Sequence, residues 1–169
     1  PMNIEDPLYQ LALRDLILPE TTGFGLLPLS MAPRELVIGW RRAYLEEVLP
    51  MPGEDYDLKA ANDIESYVAA DSHRVLLEGG TPVAMTGFNA MLPEAVQVGG
   101  VYTPPHDRAR GFGRRAVAMH LNEMRTKGVI GAILFAASPQ ACKAYEAIGF
   151  EERGAFAILT YEELQVIYG

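Results

Sequence analysis

The stretch from Val98 to Val117 constrains this chain more than any other. It opens as a strand, because Val96, Val98, Val101 and Tyr102 are β-favouring residues. The strand stops at Pro104-Pro105, where neither residue can donate to a sheet ladder. A basic, glycine-containing turn follows, and a helix begins near Gly113 with Ala116, Val117, Met119, His120, Leu121 and Met124 along it. A strand, such a turn and a helix N-terminus together build a place for an anion. Free backbone N–H groups and the positive end of the helix dipole point into the turn. Gly111 and Gly113 keep Cβ atoms out of the way of a phosphate. The turn lacks the Lys-Ser/Thr ending of a nucleotide P-loop, which counts against ATP or GTP.

Charge supports a local anion site. The chain carries a formal net charge of −8, which disfavours non-specific nucleic-acid binding and suits a cationic small substrate. Arg108, Arg110, Arg114 and Arg115 stand out against that background and imply a local anionic ligand more than a long polyanion. No apolar run approaches the ~20 residues of a membrane helix, so no membrane partner is expected. Cys142 is the single cysteine. It allows no internal disulfide and points to a reducing compartment; no Cys/His cluster suggests a metal. With no basic-then-apolar signal segment at the start, a cytoplasmic location is the expectation.

The other elements follow in order. Leu8, Leu11, Ala12 and Leu16 have helical spacing, which predicts a helix over 7–17 inside an N-terminal extension, 1–20. Residues 21–169 are expected to form a single domain, as 169 residues suit one core. A short strand at 25–29 is assigned to a sheet edge by Pro28. Helices are predicted from Ser30 to Val48 and from Asp57 to Ala70, then strands at 74–78 and 82–89. After the anion-site helix, which Gly128 ends, come a strand at 130–136 and a helix opened by Ser138-Pro139 and closed by Gly149. Strands at 150–152 and 155–160 finish the sheet, and 161–167 could add a helical turn. The fold class is α/β in the α+β sense: one mixed sheet with helices on both faces.

Two segments resemble a known family. Arg108-Ala-Arg-Gly-Phe-Gly113 matches the Arg/Gln-x-x-Gly-x-Gly/Ala signature of the GNAT superfamily of acyl-CoA-dependent N-acyltransferases. Downstream, Ser138, Ala141, Tyr145 and Gly149-Phe150 resemble its Asn/Ser…Ala…Tyr…Gly-Phe segment. The element order is similar from about Gly25 to Thr160. The resemblance implies a mostly antiparallel sheet in which two parallel strands, near 96–103 and 130–136, splay to hold acetyl-CoA.

By the same resemblance, the backbone of Val101, Tyr102 and Thr103 pairs with the pantetheine amides. The turn Arg108, Ala109, Arg110, Gly111, Phe112, Gly113 and Arg114 cradles the pyrophosphate. Each arginine side chain has two readings, a phosphate contact or a solvated charge. Ser138 joins the cofactor residues, although a helix cap explains it equally. Tyr145 corresponds to the tyrosine that protonates the leaving thiolate; a phenol with a pKa near ~10 can do so. Cys142 has no base beside it in sequence and reads as a packing residue.

A proton acceptor is harder to find. One branch of the family uses a glutamate on the central strand, and that position here is Gln97, which cannot serve as a base. Glu94, Asp107, His106 and Glu46 are the substitutes within reach. Trp40, Tyr44, Asn89 and Gln97 are the candidates for the substrate pocket, with core packing as the competing reading. The expected activity is transfer of acetyl from acetyl-CoA to a small-molecule or peptide amine by direct attack. A non-catalytic acyl-CoA-binding regulatory domain is the alternative. The resemblance also allows a homodimer.

Overall fold

The computed structural model describes residues 2–160, with side chains described over 6–154. One mixed sheet of seven strands runs β2-β3-β4-β5-β6-β1-β7. In chain order the strands are β1 (Met2–Ala12), β2 (Phe24–Pro28), β3 (His73–Glu78), β4 (Thr81–Met91), β5 (Ala95–Tyr102), β6 (Gly131–Phe135) and β7 (Glu151–Thr160). The helices are α1 (Arg34–Val48), α2 (Tyr56–Ala70), α3 (Phe112–Thr126) and α4 (Pro139–Glu146).

The N-terminus corrects the sequence expectation. Residues 2–12 are a strand and 13–15 a single 3-10 turn, not a helix over 7–17. β1 lies between β6 and β7 and is antiparallel to both, with Leu8 opposite Phe135 and Met2 opposite Thr160. Inside a sheet, burial alternates: Tyr9, Leu11 and Leu13 are buried, while Gln10 is exposed. This two-residue period fits the segment better than the helical one once strands flank it on both sides. The two short strands expected at 150–152 and 155–160 are one continuous strand, β7. Positions 161–167 lie outside the described residues.

Two layers cover the sheet. On one face α1 and α2 pack through Val37, Trp40 and Ile64 against Val75, Met85 and Tyr102. On the other, α3 and α4 pack through Val117, Leu121 and Tyr145 against Phe88, Val96, Val98 and Leu134. β5 serves both. Val96 and Val98 join the α3 side, Tyr102 joins the α1 side, and the change of parity falls at Gly99-Gly100, where Gly100 has φ +65°. The pairing of β4 with β5 is irregular along this stretch. A bulge of this kind re-aims the strand that follows it.

The parallel pairing of β5 with β6 is short: Ala95 with Gly131, Val96 with Ala132, Gln97 with Ile133. Beyond Gln97 both strands continue without pairing, so the sheet opens into a wedge. The splay expected between 96–103 and 130–136 is therefore present, and its apex is the Gln97–Ile133 rung.

Candidate active site

A cleft of about 780 Å³ occupies the open end of the wedge. α1 contributes Tyr44, Glu47 and Val48 to its wall, β5 contributes Val101–Thr103, the turn contributes 107–114, and α4 contributes Gln140, Ala141, Lys143 and Ala144. Val101, Tyr102, Thr103 and every turn residue from Arg108 to Arg114 thus line one cavity.

The turn is built to leave donors free. α2 and α4 begin with side-chain caps: Asp55 accepts from the Leu58 N–H at 3.0 Å and Ser138 from the Ala141 N–H at 3.1 Å. α3 instead begins at Gly111 in the left-handed conformation, φ +75°, with no side-chain cap. Ala109 also has positive φ, +62°. The N–H groups of 109–114 find no acceptor among the described residues, and the first intrahelical bond is Arg115 N–H to the Gly111 carbonyl. An uncapped N-terminus facing a cavity presents the partial positive charge of the helix to whatever fills it. A Cβ on Gly111 would be strained and would crowd the Arg114 guanidinium at 3.2 Å. At Gly113 it would touch Thr103 Oγ1 and Val101 Cγ1 at 3.5 and 3.6 Å, so this glycine brings the helix close to β5.

The arginines divide into groups. Arg108 Nη2 donates to both oxygens of Glu47, at 3.1 and 2.8 Å, and its Nε donates to the Thr103 carbonyl at 2.9 Å. Arg110 is held by Asp107 at 3.0 Å and Glu78 at 3.3 Å. Arg114 and, across the cleft on α4, Lys143 have no carboxylate partner among the described residues. Arg115 points elsewhere: it donates to the Glu20 carbonyl and lies over the Phe24 ring. The cleft wall holds four cations, Arg108, Arg110, Arg114 and Lys143, against two carboxylates, Glu47 and Asp107. The donor set fits a pyrophosphate.

Tyr145 is half-buried on α4, with its ring edge-on to Phe150 at 5.9 Å. Burial pushes its phenol up to about 12, and nearby Tyr44 adds to the rise. Both tyrosines are proton donors at neutral pH. Tyr44 itself is raised by burial, an effect opposed by Arg41, whose guanidinium lies 5.0 Å from the ring centroid.

The remaining candidates scatter. Trp40 is buried in the α1 core, 6.2 Å from the Tyr102 ring, and does not line the cleft. Asn89 is exposed at the end of β4, its amide filling the space beside Gly99. Gln97 is half-buried on the last paired rung, which forms the apex. Ser138 caps α4 and lines a neighbouring groove on its far side with Asp6, Cys142 and Glu146. Among the substitute bases, Glu94 lies at the closed end, where its carbonyl accepts from Ile130 and Gly131. Glu46 is paired with Arg42, His106 is exposed, and Asp107 holds Arg110. Sequence reasoning missed Glu47 and Lys143, since a carboxylate and an ammonium on helix surfaces carry no local signal of a shared cleft. Among the described residues no group of His, Cys, Asp and Glu could hold a metal ion, and no helix is long and apolar enough to cross a membrane.

An open wedge between parallel strands, with an uncapped helix N-terminus at its mouth, makes a cleft suited to an extended anionic ligand. The model of the acetyltransferase (GNAT) family matches residues 35–150, and the chain belongs to that family. No curated protein sequence matches significantly. A GCN5-related N-acetyltransferase from Kribbella flavida shares the fold at TM-score 0.61 and 21% identity, over 90% of this chain and 56% of that one. A GCN5-related N-acetyltransferase from Sphaerobacter thermophilus gives 0.64 and 16%, over 90% and 50%. A predicted acetyltransferase with acetyl-CoA from Clostridium acetobutylicum gives 0.57 and 17%, over 85% and 94%. The chain thus spans about half the length of the first two.

Proposed function

We propose that this chain transfers acetyl from acetyl-CoA to a primary amine, of a small molecule or a peptide, by direct attack in a ternary complex. The observation that carries the reading is the wedge: β5 and β6 part at Gln97–Ile133, and the unpaired N–H groups of 109–114 stand at its mouth. The backbone of Val101–Thr103 offers an extended edge to the amides of a pantetheine arm. The N–H groups of 109–114, with Arg114 and Lys143, hold the pyrophosphate. Tyr145 donates its proton to the departing thiolate. Bound acetyl-CoA supplies an activated acyl carbon, and the protein's part is to place it, exclude water and manage protons.

The competing reading, a binder of acyl-CoA without catalysis, draws on one observation: Gln97, and no carboxylate, stands at the apex. Two measurements decide. Acetyl-CoA is expected to raise the melting temperature where ATP does not. Thiol release with a panel of primary amines (lysine, spermidine, tyramine, glucosamine) is expected to exceed background with at least one. Binding without release from any amine sinks the enzyme reading, and absence of binding sinks both.

A further inference from the structure

β5 reaches the cleft only after a bulge. Between its pairs with β4 at Gly87–Gly99 and Met85–Tyr102, β5 has one residue more than its partner. The extra residue changes the face that each following side chain takes. Val96 and Val98 pack on the α3 side, and unbroken alternation would send Tyr102 there too and turn Val101 away. Instead Tyr102 joins the α1 core and Val101 packs on the α3 side. Gly113, in the first turn of α3, seats against Val101 and Thr103: from the place of its missing Cβ, Val101 Cγ1 is at 3.6 Å and Thr103 Oγ1 at 3.5 Å. The bulge therefore sets both the cleft edge of β5 and the seat of the uncapped helix.

A side chain that the site itself does not use stands at this bulge. His73, fully buried on β3, pairs with Gly87 of β4 and reaches across that strand. Its Nε2 lies 3.0 Å from where a Cβ of Gly100 would be. A Cβ on Gly87 would fall inside the ring, although Gly87 itself has no left-handed backbone to forbid one. Tyr67 of α2 stacks on the ring at 3.7 Å, and a hydrogen bond of 2.8 Å joins Ser72 Oγ and His73 Nδ1. Arg41 of α1 backs Tyr67, 5.5 Å from its ring centroid. The imidazole is thus clamped between the helix layer and the bare backbone of β4 and β5.

We propose that the His73 ring is a strut that holds the β5 bulge, and that it thereby positions Val101–Thr103 and the start of α3 for acetyl-CoA. The inference rests on the acetyltransferase reading. His73 is a positioning residue: it does not line the cleft, and it acts through Gly100. Two requirements coincide at that glycine. Its φ of +65° suits a bulge, and the ring leaves no room for a side chain. The ring also fills the hollow that Gly87 and Gly100 leave beneath the helices. Without it the hollow is a void, which neighbouring strands close only by moving. A β5 that loses its bulge slips by one residue, and such a slip exchanges the faces of Val101 and Tyr102.

The test is acetyl-CoA affinity by isothermal titration, with backbone amide exchange of the unliganded protein beside it, both well below each variant's melting temperature. His73→Ala removes the strut, and Gly87→Ala drives a Cβ into the ring. Each is expected to weaken acetyl-CoA binding by about 10-fold or more, as small misplacements of a positioning element do. Because both act through one ring, the double variant should be within about threefold of His73→Ala alone. His73→Phe keeps a flat ring under Tyr67 and should stay within about threefold of the wild type. Leu13→Ala cuts the core at the closed end of the sheet; it should melt earlier and bind normally. In the unliganded protein, His73→Ala should speed exchange at Tyr102 by about 10-fold or more and leave the Leu11–Ala132 rung unchanged. Normal affinity in both His73→Ala and Gly87→Ala, or unchanged exchange at Tyr102, would overturn the strut and leave the acetyltransferase standing. An equal loss of affinity in Leu13→Ala would overturn it too, by assigning the effect to general loosening. A wild type that binds no acetyl-CoA would sink the functional reading, and exchange at Tyr102 would still decide the strut.

Discussion

Arg108 donates to both carboxylate oxygens of Glu47, 61 residues earlier in the chain, and so ties the first residue of the anion-binding turn to helix α1. Its Nε also occupies the Thr103 carbonyl, on the edge proposed for the pantetheine arm. Under the proposed function, a phosphate in the turn would compete with the Glu47 carboxylate for this guanidinium. Both side chains are nearly half exposed, 45% and 44%, and an exposed pair of this kind contributes ~0.2–1 kcal/mol. Glu47→Gln should accordingly tighten acetyl-CoA binding by about 1.5- to 5-fold, while stability changes by less than about 1 kcal/mol. Isothermal titration checks it. Weaker binding in Glu47→Gln would mean that Glu47 positions Arg108 for the ligand and does not compete with it.

Gly113 offers a sharper probe of the anion site. Its missing Cβ faces Val101 and Thr103 at ordinary contact distance, so Gly113→Ala should fold and bind. Gly113→Glu places a carboxylate in the cavity meant for phosphates, beside the uncapped N-terminus and Arg114. The variant should fold and lose acetyl-CoA affinity by about 100-fold or more, or ~2.7 kcal/mol. Unchanged affinity by titration would remove the pyrophosphate from this turn.

The elements around these residues were legible in the sequence because their signals are local. Ser138-Pro139 announces the start of α4, and Pro104-Pro105 ends β5 close to Tyr102. The first strand was not legible, since Leu8, Leu11, Ala12 and Leu16 mimic a helical stripe. Only their partners in β6 and β7, more than a hundred residues away, make Tyr9, Leu11 and Leu13 one buried face. The site divides the same way. Its glycines and motif residues can be read along the chain. Glu47 on α1 and Lys143 on α4 share a cleft only once the chain has folded, so no local pattern announces either.

Gly149 shows how the first strand supports the second motif. It follows α4 with φ +106°, and a Cβ there would meet the Asp15 carbonyl oxygen at 2.9 Å and Leu11 Cδ1 at 3.2 Å. Backbone on one side and a core leucine on the other leave little room to yield. Gly149→Ala combines backbone strain with overpacking, and should destabilise by about 2–4 kcal/mol. At ~2–4 °C per kcal/mol for a chain of this size, that lowers the melting temperature by roughly 5–15 °C. A shift under about 2 °C would show that the N-terminal segment does not press on this turn.

Acid should destabilise the fold through two histidines. His73 lies beneath the Tyr67 ring, in a lane kept clear by Gly87 and Gly100, and its Nε2 has no partner among the described residues. His120 stacks on Phe88 at 4.0 Å, and neither ring nitrogen has a hydrogen-bond partner among the described residues. Burial is the main cause that lowers each to about 3, aided at His73 by Arg41 and at His120 by Arg74. In the unfolded chain both titrate near ~6.5, so below that pH the unfolded state binds protons that the folded state refuses. Stability is full above pH ~6.5 and falls as the pH drops toward 3, with a limiting slope of about 2.7 kcal/mol per pH unit for two groups. Glu123, held down to about 2 chiefly by its bond from Arg74, adds to the loss below the ordinary glutamate range. His120→Leu removes one titration and sacrifices no hydrogen bond. It should therefore match or exceed the wild type at pH 7 and roughly halve the slope between pH 6 and 5 in urea melts. An unchanged slope would show that His120 keeps its proton in the folded protein.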